Sequence, residues 1–112
     1  MISMREAYEK IGADYDGASV RLMGEEMLAR FALKFLDDES MDKFEAAMAA
    51  GDAESAFMAV HTLKGVSQNL GFDNLYEPAV VVTEALRDAD TVDGARDGMH
   101  SLRQQYAATM SA

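Results

Sequence analysis

Along almost the whole chain, apolar residues recur three and four positions apart, the spacing that lines one face of an α-helix. Strand signals are nearly absent: the β-branched run Val80-Val81-Val82-Thr83 is short and lies inside a longer helical pattern. Ala, Leu, Met and Glu, all good helix formers, dominate elsewhere. The pattern predicts a short first helix over Ile2 to Ile11, then a loop, Ala13 to Asp16, bracketed by Gly12 and Gly17. A second helix is expected from Ser19 to Leu36, with Val20, Met23, Met27, Phe31 and Phe35 on its apolar face, and Asp37-Asp38-Glu39-Ser40 as the break after it. A third covers Met41 to Ala50, turns Phe44, Ala47 and Met48 inward, and stops at Gly51. Asp52 caps a fourth helix that reaches Leu70 and ends at Gly71. A fifth runs from Asn74 to Asp88 behind the stripe Leu75, Ala79, Val82 and Leu86. Pro78 must lie in or near its first turn, or kink the helix if it starts earlier. A last helix spans Val92 to Thr109, with Ala95, Met99, Leu102 and Tyr106 inward. Short connections make consecutive helices antiparallel neighbours. The expected fold is therefore all-α: an up-down four-helix bundle with an additional short N-terminal helix, in a single domain spanning residues 1–112.

Composition narrows the function classes. The absence of cysteine removes disulfides, thiolate zinc sites and cysteine nucleophiles, and it fits a reducing compartment. No apolar run approaches the roughly 18–20 residues that cross a bilayer, and Met1 to Lys10 has no apolar signal core. A soluble, cytoplasmic protein is expected, and a stand-alone one, since the chain starts with methionine and shows no fused linker. The net charge of −10 argues against nucleic acid and membrane surfaces as partners, because both demand cationic contacts; the partner should be a protein.

One helix differs from the others. Ser55 to Phe72 contains no Asp or Glu in a chain that has 20 of them, and Lys64 is its one charged residue. Phe57, Val60, Leu63, Val66 and Leu70 make it apolar enough to be central and largely buried. Its few polar groups, His61, Lys64 and Gln68, stand at helical spacing on one face, with Gly65 among them. Imidazole titrates near neutrality and is a nucleophile. A phosphoryl group on its nitrogen would find a mobile cation in Lys64 and no repelling carboxylate on this helix. Gly65 leaves room for a bulky partner or for close helix packing. Ser-His-Asp catalysis lacks its acid on this helix, and one histidine beside a lysine is no metal cluster. The second histidine, His100, has acids nearby, including Asp97, and reads as surface. Asp37 to Glu39 lacks EF-hand spacing and reads as a solvated turn, and the methionines read as core filler.

His61-Thr62-Leu63-Lys64-Gly65, followed by Leu70-Gly71, resembles the H-x-L-K-G…G signature of histidine-containing phosphotransfer (HPt) domains. Asp14 to Gly17, Phe35-Leu36-Asp37 and Ala50-Gly51-Asp52 also look HPt-like, so the resemblance covers residues 12–106. It implies a four-helix bundle with His61 as phospho-acceptor on an exposed helix face, reacting through Nε2. It implies a module of a multi-step two-component phosphorelay. His61 would take a phosphoryl group from a receiver-domain aspartyl-phosphate and pass it to another receiver. No kinase activity and no bound cofactor are implied; the assisting Mg²⁺ belongs to the receiver. By position, Lys64 matches the phosphate-facing lysine and Gly65 the small residue beside the histidine. Thr83 stands where many members carry Gln, and Arg87 where some carry a basic residue. With Gln68, these two are the expected partner-docking residues. The implied partners are response-regulator receiver domains, with a hybrid sensor histidine kinase as a further candidate, and a monomer is expected. Two other readings stay open: a helical interaction module that docks a receiver or kinase without taking phosphate, and a phosphohistidine domain belonging to a larger kinase.

Overall fold

The computed structural model describes residues 4–111. Within them the chain forms α1 (Met4–Lys10), α2 (Tyr15–Arg21), α3 (Glu25–Phe35), α4 (Ser40–Ala50), α5 (Ala53–Asn69), α6 (Asp73–Leu86), a 3-10 turn (Asp93–Ala95) and α7 (Arg96–Ser111). No strand occurs among the described residues.

Helices α4 to α7 form the bundle. α5 packs against both α4 and α6, and α6 packs against α7. Arg103 on α7 reaches Glu45 on α4 at 2.9 Å and closes the ring. The core takes Phe44 and Met48 from α4, Ala56, Val60 and Leu63 from α5, Leu75, Ala79, Val82 and Leu86 from α6, and Met99 and Leu102 from α7. These are the apolar stripes that the sequence pattern picks out. Burying each large aliphatic side chain contributes about 1.5–3 kcal/mol. Helix ends follow local chemistry. Gly51 closes α4 in the left-handed conformation, at φ 72°. Gly71, at φ 70°, turns the chain from α5 into α6. α6 begins at Asp73, so Pro78 lies in its second turn, where it cannot donate to the Asn74 carbonyl.

The N-terminal third departs from expectation. The single helix predicted over Ser19 to Leu36 is two helices, α2 and α3. The chain breaks at Leu22-Met23-Gly24, where Met23 (φ 60°) and Gly24 (φ 125°) both turn left-handed. α2 also starts earlier than expected, because the Asp14 carboxylate accepts the Gly17 N–H at 3.0 Å; Gly17 is helical rather than the edge of a loop. The predicted apolar face fails in part for the same reason: Phe35 is buried as expected, but Val20 and Met23 are 80% and 89% exposed, and Leu28, off that face, is buried. Once a helix breaks, its two halves orient independently, and a period counted through the break selects the wrong residues. Three helices thus precede the bundle where two were expected: α1 is the predicted short first helix, and α2 with α3 replaces the second. The predicted start at Ile2 lies outside the described residues.

These short helices cover the end of the bundle where α5 turns into α6. The buried Tyr8 hydroxyl donates to the Leu70 carbonyl at 2.7 Å, and the Asp14 N–H donates to the Gly71 carbonyl at 2.7 Å. Burial pushes the Tyr8 phenol well above its ordinary range, so it remains a donor. Phe72 receives the Tyr8 ring at 5.2 Å and the Phe35 ring at 5.3 Å between centroids. Among the described residues, no helix is long and apolar enough to cross a membrane.

Candidate functional site

α5 is set by its cap before it is set by packing. The Asp52 carboxylate accepts the Ser55 N–H at 3.1 Å and the Ser55 hydroxyl at 2.7 Å. Those bonds, the hydroxyl first, hold its carboxyl below the usual range. From there the helix presents two sides. Ala56, Ala59, Val60, Leu63 and Ser67 are buried. On the opposite side His61 and Gln68 are exposed, with Lys64 and Gly65 half-buried between them.

The His61 imidazole lies parallel to the Phe57 ring, one turn earlier: the centroids are 5.6 Å apart and the planes 11° apart. Among the described residues nothing hydrogen-bonds to the imidazole, so the stack is the contact that orients it. Lys64 makes no ion pair within 4 Å among the described residues. At Gly65 an added Cβ would meet nothing within 4 Å, so this glycine is not there to let two helices approach. The Gln68 side chain is exposed, and its backbone carbonyl accepts the Arg21 guanidinium at 2.9 Å. Arg87, just past the end of α6, grips Glu84 with two bonds of 3.1 and 3.0 Å. Its guanidinium carbon also sits 5.4 Å from the Phe57 centroid, within cation–π reach. That grip holds the Glu84 carboxyl below its ordinary range, with a smaller electrostatic pull from Lys64.

A model of the Hpt domain family matches residues 26–112. The chain belongs to the Hpt domain family. Neither curated proteins nor solved structures gave a significant match. Hpt domains are histidine phosphotransfer modules of two-component phosphorelays, where they interact with receiver domains and kinases. The matched span takes in the whole bundle and leaves α1 and α2 ahead of it.

In this Hpt domain four of the six expected site residues, His61, Lys64, Gly65 and Gln68, share one strip of α5, and Arg87 joins its edge through Phe57. Thr83 does not join them. It has no exposed surface, and its hydroxyl donates to the Ala79 carbonyl at 2.7 Å. A β-branched residue on the inner side of α6 fills core volume and satisfies its hydroxyl one turn back, so it has nothing to offer a docking partner. Sequence reading overlooked two residues. Phe57 stands among the apolar residues of the pattern, although its i−4 spacing puts it beside His61. Glu84 brings a carboxylate to the stretch of α5 from Ser55 onward, which has none of its own; only the packing of α6 on α5 delivers it, and Arg87 occupies it. His100 is exposed on α7, as expected.

Proposed function

We propose that this Hpt domain is a phosphorelay intermediate that carries a phosphoryl group on His61. The observation that supports this best is the exposed imidazole, held by a ring stack and free of hydrogen-bond partners among the described residues, beside an ammonium and an open space. The Nε2 lone pair attacks the phosphorus of a receiver aspartyl-phosphate. The P–O bond to the carboxylate breaks, the carboxylate leaves with the electron pair, and the imidazole sheds its other proton to water. Lys64 then balances the charge gained by the imidazole, as a mobile point charge one turn away would. Mg²⁺ stays with the receiver. The reverse reaction passes the group to a second receiver.

The docking surface in this reading is the strip itself, with the open space at Gly65 at its centre and Met58, 59% exposed one turn before His61, as an apolar contact. A relay contact of this kind is small and transient. The decisive experiment incubates the protein with a receiver phosphorylated by a small phosphodonor and assays for acid-labile, base-stable phosphate. Label on the wild type and none on a folded His61→Gln variant is the expected result. A folded wild type that stays unlabelled with several receivers, yet still binds them, would replace this reading with that of an interaction module.

A further inference from the structure

A hydrogen bond would orient an imidazole at the expense of one of its two nitrogens. A parallel ring holds it by its π face and leaves both in-plane nitrogens open. His61 is held in the second way, at a separation and angle typical of offset-stacked rings. The stacking ring is itself fixed. Phe57 is half-buried at the rim of a hollow that it lines with Leu86 and Arg87. The Arg87 guanidinium lies over it, and two bonds to Glu84 keep that guanidinium there.

We propose that Phe57 is the positioning residue of the phosphotransfer, setting the plane of the His61 imidazole so that its reacting nitrogen faces the incoming phosphorus, with the Arg87–Glu84 pair steadying Phe57. This rests on His61 being the phospho-acceptor. The reacting lone pair lies in the ring plane, so a free rotation about the Cβ–Cγ bond would swing it off the line of attack. Phe57 touches neither phosphate nor receiver; it restricts that rotation. The consequence is a loss in the rate of the chemical step with the affinity for the receiver unchanged.

The test is single-turnover transfer from a phosphorylated receiver to wild type, Phe57→Leu and Phe57→Tyr, with thermal melts and the NMR positions of the His61 ring protons read alongside. Loss of a stack of this strength predicts a rate at saturating receiver about three- to tenfold lower in Phe57→Leu, with an unchanged half-saturation concentration. Phe57→Tyr restores the rate, because the ring remains. The His61 ring protons should sit upfield in wild type and Phe57→Tyr, and return to free-histidine positions in Phe57→Leu. An undiminished Phe57→Leu rate, a loss confined to half-saturation, or failure of Phe57→Tyr to rescue would each overturn the proposal. If Phe57→Leu does not fold, free-histidine positions in the wild type overturn it. Wild-type protein that takes no phosphate removes the His61 reading as well, whereas a labelled wild type with an equally fast Phe57→Leu variant removes this inference alone.

Discussion

Two glycines of the family signature sit in opposite kinds of surroundings. Gly65 faces open space in the middle of α5, where an added methyl would touch nothing within 4 Å. Gly71 is buried at the turn into α6 with φ 70°. A methyl there would run into the Asp14 carbonyl oxygen and come within 2.9 Å of the Ala18 Cβ. The same residue type thus serves two ends. At Gly71 the fold requires it. At Gly65 the fold would be better off without it, since a mid-helix glycine costs about 0.5–1 kcal/mol relative to alanine. In the proposed reading, a glycine that lowers stability where nothing crowds it makes room for a partner that approaches the strip.

Substitutions separate the two roles. The largest effect belongs to Gly71→Ala, which combines left-handed strain with a backbone collision and should destabilise by about 3 kcal/mol. The thermal midpoint should fall by on the order of 10–20 °C. Phosphate uptake should survive wherever the protein stays folded, and an unchanged midpoint would break the comparison. Gly65→Ala should do the reverse: stability by urea unfolding rises by about 0.5–1 kcal/mol, while transfer from a receiver slows. Equal transfer would mean that the open space is not used. Thr83→Val sharpens the contrast between core and strip. The Ala79 carbonyl keeps its helical partner, so stability should shift by less than about 1 kcal/mol, and transfer kinetics should match wild type. Slower transfer would restore Thr83 to the site.

The smallest effect concerns the cap that starts α5. The folded-state pKa of Asp52 is depressed by the Ser55 hydroxyl and N–H. Its contribution is therefore present above the unfolded value of about 3.9, and it is lost as pH falls through the lower folded value. Melts of Asp52→Ala should lie slightly below wild type at neutral pH, and the gap should close in acid. A gap that widens below pH 4 would contradict the cap.

Most of the bundle was legible because its helices are long enough for the apolar period to repeat. The stripes Leu75, Ala79, Val82, Leu86 and Ala95, Met99, Leu102 are buried as the spacing predicts. α2 and α3 were not legible as two helices. The sequence runs Val20, Met23 and Met27 at good helical intervals through Gly24, and nothing local outweighs that period. The strip of α5 could be found from spacing and from its missing acids. Phe57 was within reach of the same spacing argument, but ring orientation is a side-chain property that periodicity does not encode. Glu84 and Arg87 reach the strip only because α6 packs on α5, and burial of Thr83 follows from the same packing. A position counted from His61 along the chain says which helix a residue occupies, not which side of it.

The bonds that tie Tyr8 and Asp14 to the end of α5 also bear on where a working fragment can begin. The family match starts at Glu26, yet Tyr8, Asp14 and Ala18 all lie before it and enclose Leu70, Gly71 and Phe72. Cutting at the match boundary would bare two bonded backbone carbonyls and an aromatic cluster to water. The residues that cover this end of the bundle thus begin well before the matched stretch, and a fragment trimmed to residues 26–112 should melt at a lower temperature than the full chain.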